Sequence, residues 1–242
     1  MMPRSQGFTR LIRTVEVFAL ASVVPLFAPG WIVNAEASGG SNISGKQASA
    51  IIASAIAATS NASSVTVSAI GKAGNQTLNE NSSLSASAAE SSLILGGHEI
   101  ELRRIGTKIY QMAGQASLEA NGLSHHDAAL LANRWLEVPS SDKSNYSSLN
   151  SILNLKEFMK QLTPAVGRGA VATSNRSILH GLPVYVISGT FSGQKGIFYI
   201  AAKGTPYIIR VVQPNGSNRG TLDFSNYGMP VNVQVPQNAI PG

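Results

Sequence analysis

Apolar residues recur at helical spacing in three parts of the chain. In residues 46–59, Ala and Ile side chains repeat every three or four positions, which predicts an amphipathic helix. A second helix is predicted from Ser124, which stands three positions before Asp127 as an N-cap serine does, through an apolar stripe that ends in Trp135. A third apolar stripe predicts a helix over residues 149–162, and a proline follows each of the last two helices.

Alternating apolar and polar residues predict strands on both sides of the helical region. Val65 and Val67 mark one strand, and Ile100 and Leu102 alternate with charged residues in another. Glycine turns divide residues 88–113 into an antiparallel meander. The last third of the chain predicts further strands over residues 182–191, 196–203, 206–213, 221–225 and 231–235.

The order of these elements indicates the fold class. A helix, a run of strands, two helices and more strands follow one another, without the strand–helix–strand alternation of a parallel sheet. We therefore predict an α+β fold in which helices pack on one side of an antiparallel sheet. Residues 38–45 are rich in Gly and Ser and have little to bury, which predicts a flexible linker before a single domain over residues 46–242.

The first 37 residues have the three parts of a secretory signal peptide. Arg4, Arg10 and Arg13 make the start basic, an uncharged run covers residues 17–33, and small residues occupy positions 35 and 37. We expect cleavage after one of these alanines and an extracytoplasmic location in the cell envelope or the medium. An uncleaved N-terminal anchor is the alternative, because the uncharged run is close to the shortest length that spans a membrane.

Composition excludes several classes of protein. With 43% hydrophobic and 12% charged residues, the chain is a folded domain rather than a disordered segment. It has no cysteine, hence no disulfide, no thiol nucleophile and no lipobox cysteine to carry a lipoprotein anchor. The net charge of +6 favours transient contact with an anionic membrane surface. The basic residues are scattered, apart from Arg103-Arg104, so we expect no nucleic-acid partner.

No residue pattern indicates catalysis, a metal site or a cofactor. The adjacent His125 and His126 point in different directions at a predicted helix start, and no second ligand pair accompanies them. No serine lies in a Gly-x-Ser-x-Gly elbow, and Gly167-Arg168-Gly169 lacks the third glycine of a dinucleotide-binding loop. Eight carboxylates are isolated or face solvent by strand parity: Glu99, Glu101, Glu119, Asp127, Glu137, Asp142, Glu157 and Asp223. We therefore expect a protein that is not an enzyme and needs no cofactor.

Apolar and aromatic side chains are abundant on the faces that strand parity and helix periodicity assign to the interior. They form either an ordinary close-packed core or the lining of a cavity for an apolar ligand, and the sequence leaves both interpretations open. The candidate lining consists of Val67, Ile100, Leu102, Tyr110, Met112, Leu131, Trp135, Phe158, Phe198, Ile200 and Ile209.

The order of elements and three short motifs resemble the LolA-like and LppX/LprG-like envelope lipid carriers. The motifs are a glycine turn before an Ile-Tyr strand at residues 103–110, Arg-Trp-Leu-Glu-Val at residues 134–138, and the closing segment over residues 222–233. The resemblance covers residues 46–236. It implies a strongly bent antiparallel half-barrel whose concave side is plugged by helices and encloses an apolar cavity for acyl chains. Members of the family move lipoproteins or glycolipids across the envelope and catalyse no reaction.

The resemblance favours one function, and the residues leave a second open. The first is an exported, monomeric, non-enzymatic binder or carrier of lipid or another long apolar ligand. The sequence differs from many actinobacterial members of the family in one respect, because they carry a lipobox cysteine and this chain has no cysteine. The second is a surface module with a filled core that binds a protein or a cell-wall polymer. A hydrolase is the least supported class, because no nucleophile has a partner base.

Overall fold

A computed structural model describes residues 41–162, 171–191 and 194–242 of the chain. The predicted signal peptide at residues 1–37 and the first part of the predicted linker lie outside the described residues. None of the helices in the described ranges has the length and apolar character needed to cross a membrane.

The strands of the described residues form one antiparallel sheet, which is an open half-barrel. Its order is β1-β8-β9-β10-β11-β12-β2-β3-β4-β5-β6-β7, so that consecutive strands pair along both halves and β12 joins β2 in the middle. The strands are β1 Ser41–Ser44, β2 Ser64–Ala73, β3 Gln76–Ser85, β4 Ala88–Leu95, β5 His98–Ile105, β6 Lys108–Ala113, β7 Leu136–Glu137, β8 Val171–Leu179, β9 Leu182–Phe191, β10 Gln194–Ala201, β11 Ile208–Gln213 and β12 Gly220–Ser225.

Five helices of the described residues connect or cover these strands. Helix α1 contacts β1, β8, β10 and β11 in one half of the sheet, whereas α4 contacts β4, β5 and β6 in the other. Helix α5 contacts both α1 and α4, and the short helix α2 contacts β5 and α3. The helices are α1 Gly45–Ser60, α2 Gln115–Ala120, α3 His125–Leu131, α4 Lys143–Leu153 and α5 Leu155–Gln161.

The N-terminal part of the domain begins earlier than the sequence predicts. Within the predicted linker, Ser41–Ser44 forms β1 and pairs with β8, and α1 starts at Gly45. The segment has few side chains to bury, but a strand at a sheet edge needs only its backbone hydrogen bonds to pair. The predicted helix over residues 46–59 is confirmed as α1.

The predicted helix from Ser124 to Trp135 is shorter in the structure. Its N-cap is confirmed, because the Ser124 hydroxyl accepts a hydrogen bond from the Asp127 backbone N–H. The helix ends at Leu131, since Ala132 is extended and Asn133 has a φ of 57°. The chain then runs as β7 and pairs with the edge of β6, so Trp135 lies outside the helix.

The predicted helix over residues 149–162 is two helices, because Asn154 interrupts it. Asn154 has an extended backbone, and its side-chain oxygen accepts hydrogen bonds from the backbone N–H groups of Lys156 and Glu157. It therefore ends α4 and caps α5.

A second difference is that residues 231–235 form no strand, although the other predicted strands of this region are present as β9 to β12.

Two backbone features shape the middle of the sheet. A β-bulge in β11 places Ile209 between the pairs Tyr199–Arg210 and Ile200–Ile208, which shifts the side-chain alternation by one residue. Gly71 of β2 pairs with Gly220 of β12, where a Cβ atom on Gly71 would lie 2.5 Å from the Arg219 carbonyl oxygen. Glycine at this pair allows the two halves of the sheet to approach closely.

Candidate functional site on the concave face of the half-barrel

The concave face is the side of the sheet that the helices cover, and it is apolar across almost its whole width. Cross-strand partners form one continuous row over nine strands, from β9 to β6. Because directly paired residues point to the same side of a sheet, all nine side chains face the helices. We name these residues the central row: Ile187, Phe198, Val211, Leu222, Ala69, Glu80, Leu93, Ile100 and Ala113.

A second row runs beside the central row and contains more polar groups. It extends from β12 to β7 and is also directed toward the helices. Two serines stand at its middle and a glutamine near its end, so the face becomes more polar toward β6. This adjacent row consists of Phe224, Val67, Ser82, Ser91, Leu102, Gln111 and Leu136.

Helices α1, α4 and α5 fill the space above the two rows with apolar side chains. Helix α5 buries Leu155, Phe158 and Met159, and the Phe158 ring lies 6.4 Å from the Phe224 ring, centroid to centroid. Helix α4 buries Leu149, Ile152 and Leu153 on its sheet side. In the described residues these side chains and the concave face form one continuous buried cluster. The apolar interior is therefore closely packed in this structure.

Glu80 interrupts the central row with a buried carboxyl group. Its residue is 7% exposed, and its row neighbours are Ala69 and Leu93. Oε1 of Glu80 lies 2.5 Å from the Ser82 hydroxyl oxygen and 3.5 Å from that of Ser91. Burial raises the pKa of Glu80, while the hydrogen bonds from the two serines lower it by a smaller amount.

Arg104 is a buried cation at the upper rim of the concave face, and it binds backbone carbonyls rather than a carboxylate. Its Nε donates to Leu153 O at 2.9 Å, and Nη1 donates to Gly106 O at 3.0 Å. Its Nη2 donates to Ser85 O at 2.8 Å and to Ala86 O at 3.2 Å. One side chain therefore holds the end of α4 against the turns that close β3–β4 and β5–β6.

A pocket lies at the β6–β7 edge of the sheet, between α3, the start of α4 and the C-terminal segment. Among the described residues, Gln111 Oε1 and Asn145 Oδ1 are buried there without a hydrogen-bond partner. Two free acceptors beside apolar walls can bind a hydrogen-bond donor. The pocket is lined by Gln111, Leu131, Leu136, Glu137, Val138, Pro139, Asp142, Asn145, Ile240 and Pro241.

Seven of the eleven candidate residues for a cavity lining belong to the buried cluster. All seven are at most 5% exposed, and they come from the sheet and from helices α3 and α5. The structure therefore brings them together in one interior. These residues are Val67, Ile100, Leu102, Leu131, Phe158, Phe198 and Ile200.

Tyr110 and Met112 lie on the opposite face of the sheet from the one predicted. The two-residue turn between Ile105 and Lys108 pairs Tyr110 with Arg103 and Met112 with Glu101. Directly paired residues share a face, so both side chains point away from the helices. Tyr110 is nevertheless buried, whereas Met112 is partly exposed.

Trp135 and Ile209 also differ from their predicted places. Trp135 is partly exposed, and the Arg103 guanidinium lies 4.6 Å from the centroid of its ring, in a cation–π contact on the outer side of the sheet. Ile209 is the bulged residue of β11 and is partly exposed, while Ile208 takes the fully buried position beside Ile200.

His125 and His126 form the exposed start of α3. The Nδ1 atom of His125 lies 2.7 Å from Glu119 Oε1, so the two side chains are in hydrogen-bond contact at the surface. Within the described ranges, no three His, Asp or Glu side chains are grouped closely enough to hold a metal ion.

Sequence reasoning missed Glu80, Ser82, Ser91 and Arg104 as parts of the interior. Strand β3 alternates Leu78, Glu80, Ser82 and Leu84 toward the helices, so two polar residues hide the apolar period. Leu78 and Leu84 share the parity of Glu80 and Ser82, and these two leucines were the available sign that this side of β3 faces the interior.

The described geometry is similar to that of a solved lipoprotein. The crystal structure of Mycobacterium tuberculosis lipoprotein LppX superposes with a TM-score of 0.52 at 18% identity, over 78% of this chain and 99% of that chain. The protein has the fold of LppX. The LppX fold confirms the α+β half-barrel with helices on its concave side, and it confirms at the level of the fold the resemblance that the sequence motifs indicate.

Two further solved structures match the chain at lower similarity. LprF from Mycobacterium bovis has a TM-score of 0.49 at 13% identity, over 82% of this chain and 99% of that chain. An uncharacterized conserved protein from Thermus thermophilus has a TM-score of 0.41 at 10% identity, over 81% of this chain and 98% of that chain. No family model matches the sequence, and no curated protein matches it.

Proposed function

We propose that the protein is an exported, non-enzymatic binder or carrier of acyl chains, which it holds between the concave face and helices α1, α4 and α5. The observation that carries this proposal is the apolar central row, nine strands wide, in a protein with the LppX fold. A concave apolar face of this extent suits a flexible hydrocarbon better than a rigid polar substrate. The family resemblance in the sequence supports the same ligand class.

Helix α5 is the element that an entering chain displaces in this proposal. It has seven residues, and Asn154 separates it from α4, so it can move without unfolding the longer helix. Its buried side chains include Met159, which is unbranched and adapts readily to a new neighbour. An acyl chain that takes their place contacts the same apolar row, so the exchange replaces one set of apolar contacts by another.

The free energy available from a hydrocarbon is sufficient for such an exchange. Each buried methylene contributes about 0.8 kcal/mol, so eight methylenes contribute about 6 kcal/mol. Part of this is offset by the contacts that α5 loses. The balance favours long chains over short ones and gives little discrimination among head groups that remain outside.

The experiment measures uptake of a fluorescent fatty acid by the wild-type protein and by Phe158→Ala. Removing the buried Phe158 ring leaves space next to Phe224, and an apolar ligand gains from filling it. We expect saturable binding by the wild type and tighter binding by Phe158→Ala, at a loss in unfolding free energy of about 3–5 kcal/mol. Leu130→Ala is the matched control, because Leu130 is exposed on α3; its binding should equal that of the wild type.

The result that contradicts the proposal is a folded Phe158→Ala protein that binds no more probe than Leu130→Ala does. A second measurement extracts lipid from protein purified out of its own cell envelope and identifies it by mass spectrometry. Absence of any acyl lipid there, together with a failure to bind the probe, rejects the carrier function. N-terminal sequencing of the same material tests the predicted signal cleavage near residue 37.

A second candidate is an exported module that binds a protein or cell-wall polymer through its surface. The observation that favours it is the close packing of the interior in the described residues, where Phe198 and Met159 are fully buried. It predicts that neither variant binds an acyl probe and that a cross-linked partner is a macromolecule.

A further inference from the structure

Among the described residues, Glu80 is the only buried carboxyl group, and it stands in the middle of the apolar central row. Its paired neighbours are Ala69 on β2 and Leu93 on β4. Within the described residues, Glu80 forms no ion pair with a cation. The other buried charged side chain, Arg104, binds four backbone carbonyls instead. A carboxyl placed this way destabilises the fold unless it is neutral and hydrogen-bonded.

The hydrogen bonds of Glu80 are concentrated on one oxygen atom. The Ser82 and Ser91 hydroxyl oxygens are 2.8 Å apart, and both lie within 3.5 Å of Glu80 Oε1. Within the described part of the chain, Oε2 has no hydrogen-bond partner. The two serines therefore satisfy one side of the carboxyl group and leave the other side available.

The available side is a hydrogen-bond donor when the carboxyl group is protonated. Burial raises the pKa of Glu80, which favours the neutral acid. Oε1 already accepts from the serine pair, so the proton belongs on Oε2. The concave face then presents one O–H donor between the apolar row neighbours Ala69 and Leu93.

We propose that Glu80, positioned by Ser82 and Ser91, donates a hydrogen bond to the ester carbonyl of an acylated ligand held on the concave face. This inference rests on the acyl-binding function proposed above and adds a chemical class to it. An ester carbonyl is a neutral acceptor attached directly to a hydrocarbon chain, which matches one neutral donor within an apolar row. An alkylammonium head group requires the ionised carboxylate instead, and a plain alkane leaves the donor unpaired.

The test uses three pyrene-labelled chains of equal length that end in a methyl ester, a methyl group or an ammonium group. The full-length protein and its variants are titrated with each probe at pH 7. We expect the wild type to bind the ester about three- to tenfold more tightly than the alkane, which is the range of one neutral hydrogen bond. Glu80→Gln keeps a donor in the same place and should retain the preference, whereas Glu80→Met should lose it and still bind the alkane.

Glu90→Met is the matched control, because Glu90 is exposed on the neighbouring strand β4 and the substitution is the same. It should keep the wild-type preference for the ester. Circular dichroism and thermal unfolding establish that each variant is folded before binding is compared. If Glu80→Met did not fold, the comparison of Glu80→Gln with the wild type, using the ester and ammonium probes, would still decide between the neutral and the ionised carboxyl group.

The outcomes separate this inference from the proposed function. Equal binding of ester and alkane by the wild type overturns the role of Glu80 and leaves the acyl carrier intact. Tightest binding of the ammonium probe, lost in Glu80→Gln, also overturns it, because the carboxyl group is then ionised. Failure of the wild type and of Phe158→Ala to bind any of the three probes rejects the proposed function itself.

Discussion

Replacing Arg104 with methionine removes the side chain that joins α4 to the rim of the sheet. The guanidinium donates four hydrogen bonds, to the carbonyl oxygens of Leu153, Gly106, Ser85 and Ala86, at 2.8–3.2 Å. Methionine has a similar length and no donor, so the apolar stem remains packed while all four bonds are lost. The change therefore tests whether this cation holds the helix that covers the concave face.

The expected loss of stability follows from these contacts. A hydrogen bond to a charged group contributes about 1.5–3 kcal/mol, and bonds made by one side chain are not additive. Burial of the charge lowers the pKa of Arg104 and costs stability in the wild type. Because the variant removes this charge, part of the stability lost with the hydrogen bonds is recovered. We therefore expect a net loss of about 3 kcal/mol in the free energy of unfolding. For a domain of this size that corresponds to a decrease of about 6–12 °C in Tm.

The assay is urea unfolding of the wild type and Arg104→Met, combined with native-state hydrogen exchange. Exchange should rise most at the end of α4 and in α5, because Leu153 is the helical residue that Arg104 binds. Arg134→Met is the control, since Arg134 is exposed and the substitution is identical. A loss below about 1 kcal/mol, or an equal loss in the control, contradicts the expectation that these bonds outweigh the burial of the charge.

Three other predictions test different parts of the molecule. Gly71→Ala should lower the unfolding free energy by about 1–3 kcal/mol in urea unfolding, because its Cβ would lie 2.5 Å from the Arg219 carbonyl oxygen; an unchanged midpoint contradicts this. Burial raises the pKa of Glu80 above its unfolded value of 4.5. The contribution of Glu80 to the free energy of unfolding is therefore full below pH 4.5. It decreases by about 1.4 kcal/mol per pH unit as pH rises toward the folded pKa, while Arg104 stays charged. Glu80→Gln should therefore gain stability relative to the wild type as pH rises from 4.5 toward the folded pKa, and a stability difference that does not change with pH counts against a neutral buried acid. Trp135→Leu should lower stability by about 1 kcal/mol without changing acyl-probe uptake, because Trp135 contacts Arg103 on the outer side of the sheet; reduced uptake would place it in the interior.

The sequence was informative about the candidate site wherever one side of a strand is uniformly apolar. Ile100 and Leu102 alternate with charged residues, and Phe198 and Ile200 follow the same rule, so their burial could be predicted without a structure. Glu80, Ser82 and Ser91 could not be found this way, because a polar residue on a buried face looks like a residue on the exposed face. Only the pairing of β3 with β2 and β4 identifies the side on which they lie.

Local signals in the chain determined the elements that depend on neighbouring residues. The helical period of α1, the Ser124 cap and the alternation of β9 each involve contacts a few residues apart, and the structure contains all three. The antiparallel α+β class follows from the order of these elements. The register of β5 with β6 was also available, because a two-residue turn fixes which residues pair, and applying it would have placed Tyr110 on the outer face.

Tertiary structure decided the features in which distant parts of the chain meet. The segment around Trp135 leaves its helix because the edge of β6 offers backbone partners to β7, and that edge is more than twenty residues away. The bulge at Ile209 lets β11 pair with β10 on one side and β12 on the other, so Ile208 and Ile209 have the opposite parity from the one that β11 alone would predict. A local sequence pattern indicates which structure one segment can form by itself. The end of the helix before Trp135 and the bulge at Ile209 depend instead on hydrogen bonds between segments and on which surface the helices cover.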